Sequence, residues 1–510
     1  MKRMADEPLH QLASQVDCRW LLASPGSEDA QSHMRIHIAQ GKIQDIVPQP
    51  QEDVACSKLV LPALSNAHDH ARTFRSASLG AFEQPLESWL PFLGLVPGVD
   101  PYLSAATCFA RAVRHGVARL MVHYTRVQGL SSYVDEAQAV AHAARDVGVH
   151  IGFAIALRDR QGIAYSSDAA ALNALRPEIR SLVAQRLGTH ASSDPAGQLA
   201  LVDEVADMVA QGGYGPHVTV QYGPTGVQWC SDALLQSIAQ ASSDTGRPVH
   251  MHLLETRYQR EWADRTYPQG ILPYLDAIGL LSPRLTLAHC TWARSQELAL
   301  LAERGVTIAV NTSSNLGLKS GVAPVAEMLR AGCRVAMGLD GMALDDDDDA
   351  LRELRLAYAL HRGWGYDVTM TRAQLWTFAA ANGDRVVRGP DAVRETLAGR
   401  IALGAPADLL ILDHSALDDD ALFPDIDPLD YVLARAKGIH IEQVIIDGRT
   451  IVQRGKVLSL DEPTLYAELL AQVRSRLASH AECGRWREVV TMMAEDLGPF
   501  YKSGAYLGCC

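Results

Sequence analysis

The chain has 510 residues, 48% of them hydrophobic and 21% charged, with a formal net charge of −13. The length calls for one large domain with an accessory domain, or for two or three domains. The acidic balance argues against nucleic acid or an anionic membrane surface as partner, and no apolar run reaches the roughly 18–20 residues of a membrane span.

Met1 to Glu7 has basic residues with no apolar stretch behind them, so no secretory signal is expected. The nine cysteines are scattered, odd in number and without Cys-x-x-Cys. They read as free thiols in a reducing cytoplasm, with Cys509-Cys510 as tail. Residues Arg35 to Pro48 read as a hairpin, with Ile36 and Ile38 before a Gln-Gly turn and Ile43, Ile46 and Val47 after it. An apolar run from Leu59 to Leu64 reads as a strand that stops at Ser65-Asn66 and is followed by His68-Asp69-His70.

Seven further strand-like runs follow: Leu120 to His123, Val149 to Ala156, Val218 to Gln221, Pro248 to Leu253, Leu285 to His289, Thr307 to Asn311 and Arg334 to Leu339. Helical patterns lie between them. Eight β-α units predict an α/β fold closed as a (β/α)8 TIM barrel over residues 62–395. An open doubly wound sheet is the runner-up, and no Gly-x-Gly-x-x-Gly follows an early strand to support it. Residues 160–215 read as a lid or a long connection, and Asp345 to Asp349 as a solvated run opening a helix at Ala350. Strands return at Leu409 to Leu412 and within 440–460, with a turn at Asp447-Gly448. The predicted organisation is a small β-domain from residues 1–61 and 396–460, the barrel between them, and a helical tail over 461–510.

Barrel strands end at one mouth, where active sites form. The first run ends at His68 and His70, the fifth at His252 with Glu255 just beyond, the sixth at His289 and the eighth at Asp340. His68, His70, His252 and Asp340 give three nitrogens and one oxygen, a set suited to Zn2+, with Fe2+ the alternative. Each residue has a plainer reading alone: His252 as a core histidine, His289 as a strand-end cap, Asp340-Gly341 as a turn. Ligand types at four strand ends in one chain favour the site. His250 reads as a support and Asp69 as structural.

The set Asn66-Ala67-His68-Asp69-His70, His252-Leu253-Leu254-Glu255-Thr256, Leu287-Ala288-His289-Cys290 and Gly338-Leu339-Asp340 resembles the amidohydrolase superfamily. The resemblance is to its cytosine-deaminase-like and chlorohydrolase-like branch. Gly399 to Leu409 resembles that branch's return to the small domain, and the likeness covers about residues 35–460. It implies a composite β-sandwich for the small domain and a single metal ion in the barrel. The binuclear members' fourth-strand lysine has no counterpart in Val218 to Pro224, and Gly338-Leu339-Asp340 departs from the frequent Gly-Thr-Asp.

The expected activity is hydrolytic deamination of an amino-substituted pyrimidine, purine, pterin or triazine by metal-activated hydroxide, with ammonia released. Asp340 accepts a hydrogen bond from the attacking water, Glu255 carries a proton from water to substrate, and His289 steadies the developing oxyanion. A glutamate at 255 favours loss of an amine, which must be protonated, over loss of chloride. His123, Tyr124, Arg158, Gln228 and Trp229, at the ends of strands two to four, are the candidate substrate residues. The expected partner is a small heterocycle, with a homodimer or higher homo-oligomer by analogy. The alternatives are hydrolysis of a cyclic amide or of a C–Cl or C–N bond in a related ring, and a non-catalytic metal-stabilised binding protein.

Overall fold

The computed structural model describes residues 11–50, 57–160, 162–165, 167–187, 194–341, 347–392, 397–479 and 481–508. Eight parallel strands form the central sheet: β1 (Leu64–Asp69), β2 (Val117–Tyr124), β3 (His150–Leu157), β4 (Val218–Pro224), β5 (Val249–Leu253), β6 (Leu285–His289), β7 (Thr307–Val310) and β8 (Arg334–Met337). They pair in chain order, and the backbone N–H groups of Leu339 and Asp340 donate to His68 O at 3.2 and 2.8 Å, which brings the last strand to the first. Helices such as Pro101–Arg114, Tyr133–Val147 and Asp232–Thr245 follow the strands. Strands covered on both faces run rich in apolar residues, and all of β2 is buried, with Arg119 and His123 among its apolar residues. The sheet is the expected (β/α)8 barrel.

The helix Asn382–Arg388 plugs the end of the barrel away from the site. Its Val386 and Val387 pack with Ala67, Met121, Ala154, Ala309 and Ala336 of the strands. Small alanines there leave the width a helix needs, and Gln221 Nε2 donates to Val386 O and Val387 O at 2.8 and 3.1 Å.

A second sheet has nine strands from the two chain ends: 11–12, 15–21, 31–39, 42–48, 58–62, 409–413, 441–446, 449–453 and 456–457. The expected sandwich is one hydrogen-bonded sheet. A single apolar cluster joins Ile36, Ile43, Val60, Leu409 and Ile445 from both halves of the path, so the sheet folds over its own core. Both foreseen turns have two left-handed residues, Gln40-Gly41 and Asp447-Gly448, as tight hairpins require.

The apolar run Leu59 to Leu64 is not one strand. Lys58–Pro62 pairs antiparallel with Leu409–Asp413, and β1 starts at Leu64 in the other sheet. Both stretches are buried, so no change of polarity marks the crossing. Asp349 caps the helix Ala350–His361 as expected, through Leu351 N and Arg352 N. Asp348, however, is buried against Arg111 Nε at 2.5 Å, not solvated, and residues 342–346 lie outside those described.

The segment after β3 forms helices Asp168–Ala174, Pro177–Leu187 and Pro195–Gln211. The last is the crossover, packed on β4 and on Tyr133–Val147. The tail is Glu462–Ser479 and Ala481–Lys502. The second of these covers the loops after β1 and β3. Val490 and Ala494 pack on Leu86, Trp89 and Phe92; Asp496 pairs with Arg176 at 2.8 Å; and the Tyr501 ring lies 5.8 Å from that of Tyr165. Among the described residues no helix is long and apolar enough to cross a membrane.

Candidate active site

The end of β1 is tied to the end of β8 by two short polar side chains. Asn66 Oδ1 accepts from Leu339 N at 2.9 Å, and its Nδ2 donates to Asp69 Oδ2 at 2.8 Å. Asp69 also accepts from His70 N, Ala71 N and Gly341 N. Asp69 therefore serves structure, and the brace turns His68, His70 and Asp340 toward one another. His70 Nε2 and His68 Nε2 lie 3.2 and 3.4 Å from Asp340 Oδ1. From across the barrel His252 Nε2 comes to 3.2 Å of His70 Nε2.

The tautomers follow from carbonyl partners, which only accept. His70 Nδ1 lies 2.7 Å from His123 O, and His252 Nδ1 lies 2.8 Å from Thr225 O. Both rings therefore have the proton on Nδ1 and turn lone pairs at Nε2 toward each other. Two such lone pairs at 3.2 Å repel unless a cation lies between them. His68 Nε2 is buried with no hydrogen-bond partner among the described residues, while its Nδ1 meets His250 Nε2 at 2.7 Å.

Burial brings His68 down to about 3 and lowers His70 and His252, so the imidazoles are neutral. Burial opposes ionisation of Asp340, but Arg72 and the two histidines hold it well below the usual carboxylate range. Neutral imidazoles with an ionised carboxylate are the metal-competent forms. The donor set thus fits a divalent ion. His68, His289 and Asp340 offer a second convergent group, as do His68, His123 and His252, with ligand atoms within 4.8 Å of one another.

Glu255 follows the left-handed Leu254 (φ 51°). It is 3% exposed, its Oε2 lies 3.7 Å from His289 Nε2, and Ser320 Oγ donates to its Oε1 at 3.4 Å. Burial pushes its carboxyl up to about 7, against the pull of His289. Glu255 N donates to Gln259 Oε1 at 2.8 Å, and Thr256 Oγ1 donates to buried Glu87 at 2.6 Å, which fixes the loop. His289 and Asp340 themselves have φ of 75° and 56°, strain of the kind that collects at working sites.

The strand-end substrate residues divide. His123 points inward, its Nε2 3.0 Å from Gly223 O and its ring stacked 4.9 Å from that of His252, so it lies among the imidazoles and not at the mouth. Tyr124, one residue on, faces outward and donates to Glu136 Oε1 at 2.6 Å between strand and helix; the structure does not bring it to the site. Arg158 is exposed, with its backbone N on Gln198. Gln228 and Trp229 form a turn beside Gly226, which bridges to His252, and Trp229 faces Tyr165 at 6.2 Å.

Residues beyond the expected set complete the site. Asn315 Oδ1 accepts from His289 Nδ1 at 2.9 Å, Ser314 Oγ donates to Asp340 Oδ2 at 2.5 Å, and Arg72 Nη1 donates to Asp340 O at 2.9 Å. The polar string Asn311 to Asn315, directly after an apolar strand, was the signal for the first two.

A 5'-deoxyadenosine deaminase of Methanothermobacter thermautotrophicus is 28% identical over 406 residues, 79% of this chain and 84% of that protein. A 5-methylthioadenosine/S-adenosylhomocysteine deaminase of Moorella thermoacetica is 33% identical over 49% of this chain and 57% of its own length. Other relatives bearing these two names align over 54% to 62% of theirs. The fold matches that of an adenosine deaminase from Xanthomonas campestris solved with bound zinc, with a TM-score of 0.71 at 22% identity, over 91% of this chain and 98% of that one. Residues 59–451 match the amidohydrolase family, and the chain belongs to it.

Proposed function

We propose that the chain is a hydrolytic deaminase of an amino-substituted nitrogen heterocycle, of pyrimidine, purine, pterin or triazine type, and works with one divalent ion, Zn2+ or alternatively Fe2+. The observation that carries this reading is Glu255: a buried carboxyl near neutrality, beside His289 and next to a donor set built for a cation. The deaminase relatives support it, and the buried free thiols of Cys108, Cys230, Cys290 and Cys333 support a reducing, cytoplasmic setting.

His68, His70, His252 and Asp340 would hold the ion. Such an ion acidifies water and polarises the carbon under attack. Glu255 takes the proton of the attacking water and passes it to a ring nitrogen or to the departing amine, which leaves as ammonia only once protonated. A group near 7 both accepts and releases a proton at neutral pH. His289, held at Nδ1 by Asn315, turns Nε2 to Glu255 and stands beside the oxygen forming on the ring. Gln228 and Trp229 supply a polar and an aromatic wall beside His252. The test is a metal assay followed by an ammonia-release screen of purines, pyrimidines, pterins and triazines. Ammonia in step with loss of the amino ring is expected, and its absence across the panel refutes the reading.

A further inference from the structure

Gln259 anchors Glu255 at its backbone, and that anchor is itself held from outside the loop after β5. Gln259 Nε2 donates to the Tyr165 hydroxyl at 3.4 Å. The Tyr165 hydroxyl donates in turn to Glu87 Oε1 at 2.8 Å, the same oxygen that accepts from Thr256 Oγ1. Glu87, Tyr165, Thr256 and Gln259 are all buried, so these bonds meet little competition from water. The segments that follow β1, β3 and β5 thus share one hydrogen-bonded network, and Glu255 N is tied into it. Leu254, the residue before Glu255, has a φ of 51°, a conformation that leucine keeps only where its surroundings impose it.

One element touches all three segments beside the network. In the helix Ala481–Lys502, Ala494 O accepts from Ser88 Oγ at 3.3 Å, next to Glu87. The buried Tyr501 ring packs 5.8 Å from that of Tyr165 and 5.0 Å from that of Tyr258, the neighbour of Gln259. Past the helix, the Tyr506 ring lies 4.8 Å from that of Tyr501, and its hydroxyl donates to Glu261, on the same helix as Gln259. Tyr501 therefore joins the loop after β3 to the helix after β5, and the C-terminal segment closes the network from above.

Resting on the reading of Glu255 as the proton carrier, we propose that the C-terminal helix is part of the catalytic apparatus. It holds Glu255 in place through the buried network of Tyr165, Glu87 and Gln259, and Tyr165 and Tyr501 are positioning residues. A carboxyl that moves a proton between water and a ring must keep both within hydrogen-bond reach. A displacement of about 1 Å at such a group can cost about 100-fold in rate.

The test uses the full-length protein with Tyr165→Phe or Tyr501→Ala, each checked for bound metal against the parent. Hydrogen exchange of the Glu255 amide should run about tenfold faster in both variants with the amides of β8 unchanged, because only a local opening is eased. With the ring of the screening panel that releases ammonia fastest, kcat should fall about tenfold or more while KM stays within about threefold, as expected of a misplaced reacting group. Unchanged exchange at Glu255, an equal acceleration in β8, or a kcat within about twofold of the parent would overturn the inference. A raised KM with kcat intact would overturn it too, by placing Tyr165 against the substrate. If Tyr501→Ala fails to fold, Tyr165→Phe, which loses a single oxygen, decides the matter. If the parent releases no ammonia from any ring, the deaminase reading falls, and the exchange at Glu255 alone judges whether the helix holds it.

Discussion

Glu353 lies under the loop that carries Ser314 and Asn315, and replacing it with glutamine gives a prediction whose sign follows from the structure. The side chain is fully buried, Oε1 accepts from Ser313 N at 3.1 Å, and Oε2 has no partner among the described residues. Burial, opposed by the bonds from Ser313, raises its carboxyl from 4.5 to about 7. Below pH 4.5 the group is protonated both folded and unfolded and contributes no pH dependence. Between 4.5 and 7 the folded chain keeps a proton that the unfolded chain releases, so stability falls as pH rises. Above 7 the full penalty applies, roughly 3 kcal/mol, because each tenfold difference in proton affinity between the folded and unfolded chain is worth about 1.4 kcal/mol. Glutamine keeps the acceptor for Ser313 N and never ionises. Glu353→Gln should therefore match the parent near pH 4.5 and exceed it by about 3 kcal/mol at about pH 8, read by urea unfolding at both values. A variant less stable than the parent at the higher pH would refute the reasoning.

Three further outcomes are expected. With ionised Glu255 as the proposed base and burial pushing its carboxyl up to about 7, kcat/KM should rise with pH up to about 7 and level off above; a flat profile from about pH 5 to 8 would remove it from the proton path. His70→Ala loses the nitrogen that faces both His252 and Asp340, and bound metal by elemental analysis should drop about tenfold or more; a full equivalent retained would break the ligand set. Tyr124→Phe removes a hydroxyl bonded to Glu136 away from the mouth. It should cost about 1 kcal/mol of stability in thermal unfolding and leave kcat/KM within about twofold, while a large loss in kcat/KM would place Tyr124 at the substrate.

The strand ends that converge on the candidate site were legible because each follows an apolar run and each carries an imidazole or carboxylate. Arg72 was not, since an arginine in a loop has no spacing that marks it, and only the stack on Trp89 and the bond to Asp340 O give it a place. His123 and Tyr124 show the limit of reading a strand end as a whole. Neighbouring residues on a strand face opposite ways, so only one of the two could enter the barrel. The run Leu59 to Leu64 hid the passage between two sheets because each buries its strand completely. The plug Asn382–Arg388 reads locally as one more helix, and its fit depends on alanines spread over several strands.

The central claim is that a cation held by His68, His70, His252 and Asp340 and a proton moved by Glu255 together release ammonia from an amino ring. Metal content and ammonia release measured side by side on the parent and on Glu255→Gln test it most directly. Both proteins should hold about one equivalent of metal, while the variant releases ammonia about a thousandfold more slowly. Near-normal release by the variant, or full activity in the parent after its metal is stripped, would contradict the account.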